Sequence, residues 1–388
     1  MRIETIRPVD AFDATGIRDE IIRWVEFETP TDRPDLIDHL LDHVEELFRD
    51  LPVERTRVPA AGGYGGQLVL RYNPAASTAR PLVFMGHVDT VWAAGTLAEM
   101  PIRIEGDRIH GPGIFDMKAG SCLATLTLAT MAREGIVPPR PVVMFLNSDE
   151  EAGSLGSWDT IETLGREAAM VLVPEPSFGE PGTVVTSRKG VGGFTLTATG
   201  VSAHAGGNLA DGRSAVIEIA RHVLDIDAMT ATEPHATFNI GLFYGGTRRN
   251  VVPERASATV DMRVDTVEEA TRLTAAMLAR EAFDPDVRLE VSGGMNRPPF
   301  VRSAAVRALY EATRELAGRL GLPLAEMARG GGSDGNIVAA LGTPVLDGLG
   351  CSGAGAHARH EHIRFSTIAP RAALMFAMAT DPAFSGQF

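Results

Sequence analysis

Apolar residues at 36, 37, 40, 41, 44, 47 and 48 within PDLIDHLLDHVEELFRDL recur at the helical period, which predicts an amphipathic helix near the start of the chain. A different pattern follows. Four short runs, LVFM (82–85), VVMFL (142–146), MVLV (170–173) and PVL (344–346), are apolar without alternation, as strands covered on both faces are. Between the first two, DMKAGSCLATLTLATMAREG offers Asp116 as an N-cap and Gly135 as a stop, which predicts a crossover helix. Strand, helix, strand in that order predicts an α/β domain with a mixed, mostly parallel sheet covered by helices.

From about residue 190 the pattern changes again. GGFTLTATGVSAHAG alternates apolar and polar positions, SAVIEIARHVLDI is helical, TFNIGLFYGG and ASATVDMRV are strand-like, and VEEATRLTAAMLAREAF returns to the helical period. That sequence of elements predicts an α+β module whose sheet has one solvated face. GGMNRPPF (293–300) reads as the linker back, after which SAAVRALYEATRELAGRL is helical and α/β character resumes. The expected plan is a discontinuous catalytic domain, 1–188 and 298–388, interrupted by an inserted α+β domain, 189–297.

Length supports two domains, since 388 residues exceed what one core organises. The formal net charge of −14, with no basic run, argues against a nucleic-acid partner. No stretch approaches the roughly 18 consecutive apolar residues of a membrane span, and the start lacks a basic segment followed by an apolar one, so a soluble, cytoplasmic protein without a membrane partner is expected. Cys122 and Cys351 have neither zinc-ribbon nor Cys-x-x-Cys spacing and read as buried small apolar residues.

Each apolar run ends in side chains with ligand chemistry. LVFMG delivers His87 and Asp89, VVMFLNSD delivers Glu150 and Glu151, MVLVP delivers Glu175, and His357, His360, Glu361 and His362 lie beyond PVLDGLG. Because α/β sheets bind ligands outside the carboxyl ends of their strands, these groups should converge. Asp116, in the glycine-rich turn GPGIFDMKAG, joins them. Imidazoles and carboxylates without thiolates suit catalytic zinc or a related divalent ion. Their number exceeds one tetrahedral site and fits two ions about 3.5 to 4 Å apart bridged by a carboxylate. Asp89 is spaced to orient the second nitrogen of His87. Of the adjacent glutamates, one can ligate while the other takes a proton from an activated water. Alone, HxD or DEE is usually incidental, and His39 and His43, at helical spacing beside Asp42 and Glu46, read as surface residues; the combination carries the weight.

GHVDT, GPGIFDMKAG, NSDEEAGSLGS, VPEPS, SAHAG, GGTRRNVVP, GGGSDG and GAGAHARHEHI occur in the order found in the zinc-dependent exopeptidase and deacylase family of glutamate carboxypeptidase, acetylornithine deacetylase, succinyl-diaminopimelate desuccinylase and aminoacylase. The chain resembles that family over about residues 15 to 380, and its bacterial glutamate carboxypeptidases most, around RKG, GGGSDG and PVLDGLG. The resemblance implies two Zn²⁺ ions, with Co²⁺ or Mn²⁺ as substitutes: Asp116 bridging, His87 and Glu175 on one ion, Glu151 and His357 on the other. It implies Glu150 as general base, Asp89 as orienter, and His204 of SAHAG, often supplied by a partner subunit, as oxyanion donor. The choice of His357 rests on the glutamate four residues later; His360 and His362 stay open. Asn250, Arg263 and Arg297 match positions that hold a substrate carboxylate, a role suited to arginine's planar fork. The expected activity is release of a carboxylate-bearing amino acid from a small or dipeptide-like substrate by a homodimeric amidohydrolase. The alternatives are a deacylase of N-acyl amino acids or acetylornithine-like compounds, and a noncatalytic metal-binding protein.

Overall fold

In the computed structural model the described residues are 6–59, 62–179 and 182–388. They divide into two compact units. The first comprises the described residues through Ser187 with Arg302–Ala328 and Ser333–Phe388; the second comprises Arg188–Val301 with Arg329–Gly332.

The first unit is built on a six-stranded sheet. In spatial order its strands are Glu54–Val58, Gln67–Tyr72, Val142–Asn147, Leu82–His87, Met170–Leu172 and Val345–Leu346. The last four run parallel, and the first two join antiparallel at one edge. Every residue of the two central strands is buried, so their unalternated apolar runs follow from cover on both faces. Phe84, Met144, Leu172 and Leu346 share one core with Leu123 and Leu128 of the helix Ala119–Glu134 and with Leu374 and Phe376 of the helix Ile368–Thr380. Gly135 ends the crossover helix at φ 66°, a left-handed position that glycine occupies without strain. The N-terminal expectation is corrected: the helix begins at Ala119, and Asp116 lies before it in nonhelical backbone (φ −115°, ψ 96°) with its carboxylate free for other work. A small antiparallel sheet, Gly353–Ala354, His362–Arg364, Arg108–His110 and Arg103–Glu105, completes this unit.

The second unit is a four-stranded antiparallel sheet in the order Ala236–Gly245, Arg255–Val264, Gly190–Thr199, Arg288–Arg297. Phe194, Leu196, Val260 and Met262 form its buried face against Ile219 of the helix Ala215–Thr232 and Leu273 of the helix Val267–Leu278. Ser214 and Thr266 cap those helices with their hydroxyls. The segment read as a linker from 293 is instead half a strand. Gly293 and Gly294 pair with Phe194 and Gly193, and a Cβ on Gly293 would collide with the Gly193 carbonyl, so the glycines permit close strand approach. At the foot of the unit, Arg188 and Phe300 exchange both backbone hydrogen bonds, at 2.9 and 3.0 Å.

Among the described residues no helix is long and apolar enough to cross a membrane. Cys122 and Cys351 are buried free thiols. His39 is exposed, whereas His43 is half-buried, its Nε2 2.6 Å from Glu20 and its ring 5.3 Å from Phe27; it seals two helices together and is no solvated surface residue.

Candidate metal centre

The parallel register sets His87 opposite Asn147, so the two strands end together. Val88 donates its N–H to the Asn147 carbonyl, and the chains then diverge, one into Asp89 and the other into Glu150 and Glu151. Asp89 is fully buried and ties them. Its Oδ1 accepts the Glu150 N–H (3.2 Å), and its Oδ2 accepts the Glu151 N–H (3.1 Å) and the Thr31 hydroxyl (2.8 Å). His87 Nδ1 lies 3.0 Å from the Asp89 backbone carbonyl and 3.4 Å from its carboxylate. A proton on Nδ1 pointed at that carbonyl leaves Nε2 with a lone pair, the tautomer a metal ligand needs.

Around that nitrogen the carboxylates gather. His87 Nε2 stands 3.5 Å from Asp116 Oδ1 and 3.7 Å from Glu175 Oε1; His357 Nε2 stands 3.3 Å from Asp116 Oδ2 and 3.3 Å from Glu151 Oε1. Ligand atoms of His87, Asp116 and Glu151 all lie within 4.8 Å of one another. Asp116 thus presents one oxygen to each imidazole. His357 takes part from a left-handed backbone (φ 60°), a conformation costly for a residue with a side chain and common where function demands it. The structure brings His357, and not His360 or His362, to this cluster: His362 pairs opposite His110 in the small sheet, their rings 5.1 Å apart, with its Nδ1 on the His360 carbonyl.

Electrostatics test whether a cation fits. Burial pulls His87 down, yet Asp116 and Asp89 outweigh it and hold the imidazole well above its ordinary pKa. Asp116 and Glu151 push His357 up to about 10. Burial pushes Asp116 up, but the two imidazoles reverse this and keep it below the usual carboxylate range, while burial leaves Glu151 raised. The carboxylates therefore demand positive charge at this spot. His87 Nε2 and Glu151 Oε1 are moreover buried without a hydrogen-bond partner, which is uncommon unless another ligand satisfies them. An oxygen and nitrogen donor set with these properties suits a divalent ion.

A buried scaffold missed by the sequence reading supports the cluster. Asp334 of GGGSDG accepts from Asn147 Nδ2 (2.7 Å) and the Ser154 hydroxyl (2.5 Å), fixing the strand end and the turn after Glu151. Ser333 caps the following helix in a capping box, so the second half of that motif serves the first unit's framework. Glu361 accepts four hydrogen bonds from the Asp116 loop and Trp92. Its spacing from His357 was the available signal; nothing in the sequence singled out Thr31 or Trp92.

The second unit carries His204, Asn250, Arg263 and Arg297. His204 is exposed, and its Nδ1 accepts the N–H groups of Gly206 and Gly207, both at 3.1 Å, which leaves the proton on Nε2. The Asn250 carbonyl accepts the Ala205 N–H at 3.0 Å and so braces the His204 turn. Arg263 forms a bidentate pair with Asp261 (2.7 and 2.9 Å), and Arg297 is buried at a strand end with its stem against Gly332. Lys189 pairs with Asp265, and Arg188 donates to the Gly331 carbonyl.

Comparison with known proteins gives a consistent result. The chain is 29% identical to carboxypeptidase G2 of Pseudomonas sp. (strain RS-16) over 362 residues, covering 92% of this chain and 86% of that protein. It is 29% identical over 319 residues to a putative succinyl-diaminopimelate desuccinylase of Mycobacterium tuberculosis (strain CDC 1551 / Oshkosh), covering 78% and 83%. The aminopeptidase PepT structure from Bacillus cereus ATCC 10987 superposes with a TM-score of 0.78 at 21% identity, over 97% of this chain and 98% of that one, which establishes the shared fold. Residues 83–381 match peptidase family M20/M25/M40, to which the chain therefore belongs. It is a metal-dependent hydrolase of amide or peptide bonds.

Proposed function

We propose that this family member is a dinuclear zinc amidohydrolase, similar to glutamate carboxypeptidase, that releases a carboxylate-bearing amino acid from a dipeptide-like or N-acyl substrate. The observation that carries the reading is Asp116, whose two oxygens face His87 and His357 separately while Glu175 and Glu151 flank the respective imidazoles. His87, Glu175 and Asp116 would hold one ion, and Glu151, His357 and Asp116 the other; Co²⁺ or Mn²⁺ would suit the same donors. A divalent pair supplies Lewis acidity toward the amide carbonyl and lowers the pKa of water toward neutrality.

The chain's own groups do the rest. Glu150, fixed through its N–H to Asp89, takes the proton of the attacking water and returns it to the leaving amine. His204, with its proton on Nε2, donates to the carbonyl oxygen as charge grows there. Arg263, Arg297 and Asn250 hold the carboxylate of the departing amino acid, Arg263 exchanging its bond to Asp261 for one to substrate. The likeness to a desuccinylase favours a second reading within the same chemistry, a deacylase in which the acyl side is recognised. A homodimer fits the edge strand Ala236–Gly245, where Leu242, Phe243 and Tyr244 are 49, 45 and 62% exposed, beside exposed Ile217 and Leu224 on the helix Ala215–Thr232. The cytoplasm is the proposed compartment.

Amino-acid release from a panel of N-acyl and dipeptide substrates tests the proposal, comparing zinc-loaded protein, chelator-stripped protein and Glu150→Gln. Release that needs both metal and Glu150 is expected. Zinc-loaded protein that cleaves nothing, or a Glu150→Gln variant as active as the parent, would overturn it.

A further inference from the structure

We propose that Glu361 is a positioning residue for the metal centre: its carboxylate clamps the loop carrying Asp116 to the turn carrying His357 and so fixes the separation of those two ligands. The inference rests on the metal-centre reading above and adds a residue that chemistry alone does not require. Glu361 is fully buried. Its Oε1 accepts the N–H groups of Phe115 (2.9 Å) and Asp116 (3.1 Å); its Oε2 accepts the Gly113 N–H (2.9 Å) and the Trp92 indole N–H (2.8 Å). Four donors occupy about all the acceptor positions of an ionised carboxylate, so Glu361 has none to offer a metal and is not a ligand held in reserve. Bonds to a charged acceptor are roughly twice as strong as neutral ones, and three of them land on the short stretch whose irregular backbone turns the Asp116 carboxylate toward both imidazoles.

The other end of the clamp is equally fixed. The Glu361 N–H donates to Ala358 at 2.9 Å and the Ala358 N–H to Gly355 at 2.8 Å, closing a tight turn around His357. Gly355, at φ 86°, packs so closely that a Cβ there would come within 2.9 Å of the Glu361 backbone. One residue later the chain enters the strand His362–Arg364, paired with Arg108–His110 at the root of the Asp116 loop. Glu361 thus joins, through side chain and backbone, two segments 245 to 248 residues apart that must meet at one metal pair. Loss of outer groups that orient metal ligands typically lowers metal affinity 10- to 100-fold.

The test uses apoprotein of Glu361→Gln and Trp92→Phe. Glutamine replaces one acceptor oxygen with an NH₂ that faces N–H donors, and phenylalanine removes one donor of four. Zn²⁺ affinity is measured by chelator competition, the Co²⁺ absorption spectrum reports ligand geometry, and the metal-free melting temperature reports folding. Glu361→Gln should bind 10- to 100-fold more weakly and shift the Co²⁺ bands at a metal-free melting temperature close to the parent's; Trp92→Phe should do the same in smaller degree. Parent-like affinity and spectrum in Glu361→Gln overturn the positioning role. If that variant does not fold, Trp92→Phe decides alone, and unchanged affinity and spectrum there overturn it. Parent protein that binds two ions, with His87→Asn that retains one at most, keeps the underlying reading separate; a parent that binds none brings down both.

Discussion

The carboxyl end of the first unit's sheet and the solvated side of the second unit's sheet treat polar side chains in opposite ways. In the first, two backbone N–H groups and a hydroxyl hold Asp89, a backbone carbonyl holds the His87 ring, and Glu361 holds the Asp116 N–H, so that the ligand atoms of His87, Asp116 and Glu151 are fixed facing one another. In the second, Arg263 is half-exposed and parked against a neighbouring aspartate, and Asn250 stands exposed in a loop beyond the sheet. A group that must act on a bond in flight gains from being immobile. A group that must accept varied or arriving partners gains from being available. The difference separates residues expected to govern turnover from residues expected to govern binding.

That division can be broken experimentally. Glu150→Gln should lower kcat by about 10²- to 10⁴-fold with bound metal unchanged, as read by steady-state kinetics and metal analysis on the same sample; a loss expressed only in KM would erase the distinction. Next in size, Phe84→Ala in the fully buried central strand should cost about 3 to 5 kcal/mol of stability, whereas Leu242→Ala on the exposed edge strand should stay within about 0.5 kcal/mol at concentrations where the chain is monomeric. Denaturant titration checks both. Arg263→Ala should raise KM on the order of tenfold, the worth of one charge-assisted bond, with kcat much less affected; equal falls in kcat and kcat/KM would move Arg263 into the turnover class. The smallest effect concerns pH. His222 is buried beside Glu218 (3.2 Å) and the Phe283 ring (4.6 Å), and burial pushes its pKa below the ordinary value despite the glutamate. Below the unfolded pKa of about 6.5 the unfolded chain then binds a proton that the folded chain refuses, so stability present at neutral pH declines as pH falls from there toward the folded pKa. Thermal midpoints measured down the acid limb should flatten in His222→Gln.

The sequence made the first unit's framework readable because complete burial leaves a simple mark. LVFM and VVMFL have no polar interruption, and the abrupt change to His87, Asp89, Glu150 and Glu151 marks the strand ends. Less could be read where structure depends on distant partners. The strands Arg103–Glu105 and Arg108–His110 are too short for any period to show, and Gly293–Gly294 mimics a linker because close strand approach and chain flexibility ask for the same residue. Asp116 before an apolar helix carries the local signature of a cap, yet two imidazoles from elsewhere in the chain claim its carboxylate. His43 lay among acidic neighbours, and only the packing of Glu20 and Phe27 from another helix explains its burial.

The paired backbone bonds between Arg188 and Phe300 bear on how such a chain can be assembled. Two residues exchanging both hydrogen bonds hold their Cα atoms about 5.5 Å apart, so the more than one hundred residues between them begin and end side by side. Cutting at that pair leaves two ends that a few residues could rejoin. The segment between them is therefore exchangeable cargo: a replacement whose ends pair in the same way, and which accepts the short stretch Arg329–Gly332 that also belongs to the second unit, could bring a different reach or self-affinity while the register that aligns His87 with Asn147 is inherited intact.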